Sequence, residues 1–171
     1  LAVSINDLRK ILSNVKTRGI IGEYQLENIL SQTLNENQYY KNVITKENSR
    51  DRVEFALKIP SKNSNKEILL PIDSKFPLEP YANLLKACEE SNKEDITKYS
   101  KLLETSIKKF SKDISEKYID INNTTDFAIL FLPIESLYSE ISKRVSLIEF
   151  IQREYKIIIT GPTTLYALLN S

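Results

Sequence analysis

The sequence has no histidine, no methionine and no tryptophan, and only one cysteine, Cys88. Without histidine there is no Ser-His-Asp or Cys-His nucleophilic machinery, and a single thiol builds neither a disulfide framework nor a Cys/His zinc site. Cys88 falls in a helical stretch and is expected to be a small buried hydrophobe rather than a reactive thiol. Glycine is scarce as well, at 3 residues beside 6 prolines, which argues against a fibrous or loop-dominated chain. No apolar run is long enough to span a bilayer, no signal peptide opens the chain, and no internal repeat is present. Neither sign of charge dominates: 24 basic and 23 acidic residues leave a net charge of +1. No global field therefore advertises a nucleic acid, and contact with one has to come from a local patch. Glycine-rich phosphate loops are also missing, so no small-molecule nucleotide cofactor is expected.

What remains is an ordinary globular composition, 41% hydrophobic and 27% charged over 171 residues. That is enough for one domain with a real core, taken as residues 1–171. A chain that begins at Leu1, lacks methionine and ends in the helical run Thr163–Leu169 is expected to be a fragment of a longer protein. The side chains left for chemistry are carboxylate, lysine and hydroxyl, a set suited to hard cations.

Val3, Leu8, Ile11, Leu12 and Val15 have helical spacing; Thr17-Arg18-Gly19 reads as a break. A second helix is expected from near Gly22, with Glu23 in its first turn and Leu26, Ile29 and Leu30 facing inward. Tyr39 to Thr45 suits a short strand. Arg52 to Ile59 alternates strictly, with Val53, Phe55, Leu57 and Ile59 on one face and Glu54 on the other. After a turn-rich loop, Glu67 to Lys75 reads as a second strand, although Pro71 points to an edge or a bulge. A loop centred near Asn63 closes the two into an antiparallel hairpin with Glu54 opposite Asp73.

From Glu79 to Asp120 the pattern is an inserted helical hairpin, lined first by Tyr81, Leu84, Leu85 and Cys88, then by Leu103, Ile107, Phe110, Ile114 and Tyr118. Phe127–Leu132 and Ile157–Thr160 are buried-type strands, separated by one helix through about Glu154 and followed by a last helix after Gly161-Pro162-Thr163. Strands alternating with helices pair in parallel, so the expected class is α/β, a mixed sheet flanked by helices.

Strand parity brings Glu54, Asp73 and Lys75 to one side of the sheet. Two carboxylates there suit Mg²⁺ or Mn²⁺, and a lysine two residues past the aspartate reaches a phosphate and an attacking water. Glu23, from a helix packed over that face, adds a ligand or orients water. A surface ion pair with a cross-strand neighbour accounts for the same residues, as the helix dipole does for Glu23. Lys41, Lys46, Arg50, Arg52, Lys58, Lys62 and Lys66 flank this position, either as phosphate contacts or as a solvated surface. Gly161-Pro162-Thr163-Thr164 caps a helix or holds an anion, capping being the simpler reading.

Arg18 to Leu26, Asp51 to Phe55, Leu70 to Pro77, Glu116 to Ile119, Thr125 to Tyr138 and Gly161 to Leu165, in this order and spacing, together resemble the RmuC family of DNA recombination proteins. The resemblance implies a PD-(D/E)xK nuclease core of restriction-endonuclease-like fold. It carries the catalytic signature onto Glu23, Glu54, Asp73 and Lys75, with Glu54 and Asp73 as metal ligands. The DNA contacts expected beside them are Arg18, Arg50, Arg52 and Lys58. It further implies branched or hairpin DNA as partner and a role in limiting rearrangement at inverted repeats. A coiled coil ahead of the core would make homo-oligomers, in the cytoplasm or tethered near the membrane. Two departures stand out. Val53-Glu54 occupies a place where many members have proline and aspartate, which bears on metal geometry, and Ile21 stands where tryptophan is common. A non-catalytic DNA-binding or scaffolding module on the same fold is the alternative.

Overall fold

Layering follows from two strands that are apolar on both faces. In β4 (Ala128–Phe131) all residues are buried, and in β5 (Ile157–Thr160) all but Ile158. Such strands need helices above and below them. The computed structural model describes residues 14–61 and 66–171. The helix expected over residues 3–15 lies almost wholly outside the described residues, as does Lys62 in the hairpin loop.

Chain order is α1 (Val15–Thr33), a 3-10 turn at Glu36–Gln38, β1 (Tyr39–Ile44), β2 (Arg52–Ile59), β3 (Ile68–Ser74), α2 (Leu78–Glu89), α3 (Lys93–Tyr118), β4, α4 (Glu135–Ser142), α5 (Val145–Tyr155), β5 and α6 (Pro162–Leu169). The sheet runs β1-β2-β3-β4-β5, antiparallel through β3 and parallel from β3 to β5. On one face α1 and α6 bring Leu26, Leu30 and Leu165 onto Phe55, Leu57, Ile72, Ile129 and Phe131. On the other, α2 to α5 bring Tyr81, Leu103, Ile107, Tyr118, Leu137 and Ile151 onto Ala56, Ala128, Leu130 and Ile159. The result is the expected α/β class, a mixed five-stranded sheet flanked by helices. The α2–α3 hairpin is the connection from β3 to β4 and supplies much of the second core.

Five local expectations are corrected. First, α1 does not break at Gly19 or start near Gly22; it runs through both. A glycine inside a helix costs about 1 kcal/mol relative to alanine, and tertiary packing overrides that here. Second, one helix was expected through Glu154, but the chain breaks between α4 and α5. Arg144 lies at the break, donating to the Glu140 carbonyl and to Ser100 Oγ at 2.7 Å, which ties the break to α3.

Third, Pro71 sits in an internal strand, paired with Ala56. Leu69 exchanges hydrogen bonds with Asn123 and Thr125 on the β4 side, and Pro71 faces the same side two residues on. Its missing N–H falls in the gap before the first β3–β4 pair, Ile72 with Ile129. Fourth, Cys88 is exposed; Ala87 takes the core position instead. Fifth, Val53 leaves the face of Phe55 and Leu57 for the other core. Nearby, Asn42 adopts a left-handed φ of 55° and drops out of the β1–β2 ladder opposite Glu54.

Candidate active site

The hairpin register holds as read from loop symmetry. Phe55 pairs with Ile72, so the next step along both strands sets Glu54 against Asp73. The structure brings Glu54, Asp73 and Lys75 together at the end of the two strands, on the α3 side. Asp73 is 2% exposed, which rules out an ordinary surface ion pair. Lys75 Nζ meets Asp73 Oδ2 at 2.9 Å, yet that oxygen is buried without an aligned hydrogen bond. Glu54 Oε2 accepts from Ser74 twice, from the backbone N–H at 3.1 Å and from Oγ at 2.7 Å. Ser74, which spacing alone treats as filler between Asp73 and Lys75, therefore orients one of the two carboxylates.

Burial dominates the electrostatics. Loss of water and then the neighbouring Asp73 charge push Glu54 up to about 7, against the pull of the Ser74 hydrogen bonds. Burial also raises Asp73, with Lys75 opposing. For Lys75 burial favours the neutral amine, but Asp73 and Glu54 outweigh it, so its pKa is raised and the ammonium persists. Tyr118 is raised by burial and by Asp73. Both acids are thus raised by burial, and a bound cation competes with their protons.

A cavity of about 350 Å³ opens beside these groups, lined by Arg18, Gly19, Gly22, Glu54, Ser74, Lys75, Phe76 and Phe110. Helix α1 packs its core face on the opposite side of the sheet and reaches this cleft only with its first two turns. Gly22 permits the approach: a Cβ there would lie 3.1 Å from Ser74 Oγ and 3.7 Å from Pro133 Cγ. Glu23 is two turns into α1, so the helix dipole no longer accounts for it. It is half-buried and is not among the residues lining the cleft. Ile21 packs with Phe76 against Leu78 and Ala82, a packing position.

Of the expected DNA contacts, Arg18 lines the cleft, and among the described residues its buried Nε has no hydrogen-bond partner. Arg50 and Arg52 are exposed, and Arg52 donates to the Asn42 carbonyl. Lys58 does not flank the site. It lies four residues from Glu54, about 13 Å along the strand, over the Tyr40 ring and 3.8 Å from Glu67. Much of the remaining basic cluster is spent internally: Lys41 pairs with Glu27, Lys46 donates to the Glu116 carbonyl and Lys66 to that of Asn122. At Gly161 the capping reading holds, and the Glu135 carboxylate accepts from the Thr163 N–H at 3.0 Å.

For a metal, the fit is limited to two carboxylates. Among the described residues no group of three or more acidic, cysteine or histidine side chains converges. Mg²⁺ and Mn²⁺ accept such a set, since they retain water in the other positions. The buried Asp73 Oδ2, contacted by the Lys75 ammonium, is the kind of hard oxygen they bind. Phe110 and Phe76 were missed as cleft residues, because helical or strand periodicity marks them only as apolar.

Comparison with known proteins agrees with the motifs. The RmuC family model matches residues 1–171. A DNA recombination protein RmuC homolog from Xylella fastidiosa (strain Temecula1) is 44% identical over 172 residues, covering 100% of this chain and 38% of the relative. One of the same name from Chlamydia trachomatis is 30% identical over 168 residues, covering 96% of this chain and 36% of the relative. The chain thus spans well under half the length of these curated relatives. No solved structure matches. Among the described residues no helix is long and apolar enough to cross a membrane.

Proposed function

This chain belongs to the RmuC family, and on that premise we propose that Glu54, Asp73 and Lys75 form a metal-dependent site that hydrolyses DNA phosphodiesters. The observation that carries the reading is Asp73: a carboxylate 2% exposed, beside a second, half-buried acid and 2.9 Å from the Lys75 ammonium. Burying an acid pair costs free energy that Lys75 offsets only in part, since both acids remain raised, and a hard cation would offset it further. Asp73 and Glu54 would hold Mg²⁺ or Mn²⁺. When bound, the metal supplies Lewis-acid neutralisation at the phosphate and lowers the pKa of water.

The protein's own groups do the rest. Ser74 fixes the Glu54 carboxylate through two hydrogen bonds. Lys75, anchored on Asp73 and 35% exposed, presents an ammonium to the cleft, where it orients water and meets charge building on the phosphate. Arg18 steadies the incoming phosphate. Glu23, being outside the cleft lining, would serve as an accessory group at most. The relatives' name supports DNA as the substrate, and cutting branched or hairpin DNA would limit rearrangement at inverted repeats. Oligomers built through a coiled coil outside this sequence would set how many such sites act together.

Cleavage of branched and single-stranded DNA with Mg²⁺ or Mn²⁺ tests this. Lys75→Ala and Asp73→Ala should each lose about 10²-fold to 10³-fold in rate, and wild type should lose activity in chelator. Equal activity in all three proteins would sink the reading. DNA binding that survives Asp73→Ala with no cleavage by wild type would instead favour a scaffold.

A further inference from the structure

We propose that the cleft beside Lys75 receives a single unpaired nucleotide, with its base against Phe110 and Phe76 and its phosphate on Arg18. The inference rests on the phosphodiesterase reading only for the identity of the reacting phosphate.

The cleft has two walls of unlike chemistry. One is Glu54, Ser74 and Lys75; the other is the pair of half-buried rings Phe76 and Phe110. Phe76 follows the tripeptide directly, and Phe110 comes from α3, so the rings converge from separate elements. On the α1 side the lining is Gly22, buried against Ser74, and Gly19, where a Cβ would meet nothing within 4 Å among the described residues. The open space at Gly19 beside aromatic rings accepts a planar group.

Arg18 supplies the second observation. The residue is half-buried and lines the cleft, and among the described residues its Nε has no hydrogen-bond partner. Leaving such a donor buried costs free energy that a phosphate oxygen would recover through a charge-assisted bond.

Volume then selects the substrate. About 350 Å³ is at the small end of ligand pockets, which span about 300–1,000 Å³. That suits one nucleotide. In a duplex the base faces are covered by their neighbours, so rings beside a phosphate site contribute only when a base is splayed out of its stack. Aromatic stacking is tolerant of sequence, so the preference expected is for unpaired DNA rather than for particular bases.

Fluorescence anisotropy with a labelled oligothymidine strand and a duplex of equal length, with Ca²⁺ in place of Mg²⁺, tests this on the chain as it stands. Wild type should bind the strand more tightly than the duplex. Phe110→Leu keeps the apolar volume and removes the ring; it should weaken strand binding about tenfold and leave duplex binding unchanged. Arg18→Ala should weaken strand binding and reduce its salt dependence by about one phosphate contact. Because Phe110→Leu can also loosen α3, a strand scanned with single abasic positions gives the same information without altering the protein: one position should cost about tenfold. A flat abasic profile, or no preference for the strand, overturns the proposal. Strand binding that depends on Phe110, with no cleavage in Mg²⁺ or Mn²⁺, keeps the nucleotide cleft and overturns the phosphodiesterase reading. Cleavage indifferent to Phe110→Leu and to abasic positions does the reverse.

Discussion

Along β4 and β5 the buried positions are apolar but for Thr160; β4 touches a core on either face, and β5 adds Ile157 and Ile159 to the core under α2 to α5. One strand away from β4, the end of β3 buries Asp73 beside Glu54 of β2 and keeps an ammonium 2.9 Å from Asp73. The ladder is interrupted at Asn42 opposite Glu54, but the larger difference lies in what the side chains give up. The parallel strands gain from their buried apolar atoms, Thr160 Oγ1 being buried without a partner among the described residues. The hairpin end loses hydration of two carboxylates and recovers part of it through Ser74 and Lys75. Stability resides in the first region, and the second is where a ligand of opposite charge has the most to offer.

The comparison is most sharply broken by truncating Phe131, which is fully buried under α1 and α6. Phe131→Ala should cost about 3–5 kcal/mol in urea unfolding. A loss under about 1 kcal/mol would mean the parallel strands are not the stable half.

The hairpin end should instead reveal itself through pH. Glu54 in the folded chain is raised from 4.5 to about 7, and Asp73 is raised as well. The folded state keeps these protons where the unfolded chain has released them. The stability they contribute is therefore full below the unfolded value and lost as pH rises through about 7. Stability should fall by about 2 kcal/mol between about pH 5 and pH 8 in metal-free buffer, and Glu54→Gln should flatten that slope. A wild-type profile that rises over this range would contradict the electrostatics.

The smallest effect separates two glycines of α1. Gly22→Ala places a Cβ 3.1 Å from the hydroxyl that holds Glu54 and should cost about 1 kcal/mol while slowing any metal-dependent cleavage. Gly19→Ala meets nothing and should stabilise the helix by about 0.5–1 kcal/mol. Equal thermal shifts for the two would remove the close approach from the account.

Local pattern carried much of this. Alternation marks β2, apolar runs mark β4 and β5, and a symmetric turn-rich loop is enough to set Glu54 across from Asp73, because antiparallel register follows from loop length. Where reading by pattern failed, the deciding contact was remote. Gly19 and Gly22 resemble a break unless the Ser74 and Pro133 atoms against Gly22 are known. Pro71 resembles an edge residue unless the gap before Ile129 is known. The break at Arg144 depends on Ser100, 44 residues earlier. Basic residues on β1 and β2 resemble a phosphate surface until each is seen to bond its own chain.

The sequence by itself determined the class of fold, the hairpin register and the chemistry available, since these depend on spacing, periodicity and which residue types are present. Its motifs also placed the chain in the RmuC family. Only the tertiary structure decided that Asp73 is buried rather than paired at the surface, that Ser74 holds Glu54, and that Glu23 stands outside the cleft while Arg18 and Phe110 line it. Burial and cleft formation depend on how α1 and α3 meet the end of the sheet, and no spacing along one strand encodes where two distant helices converge.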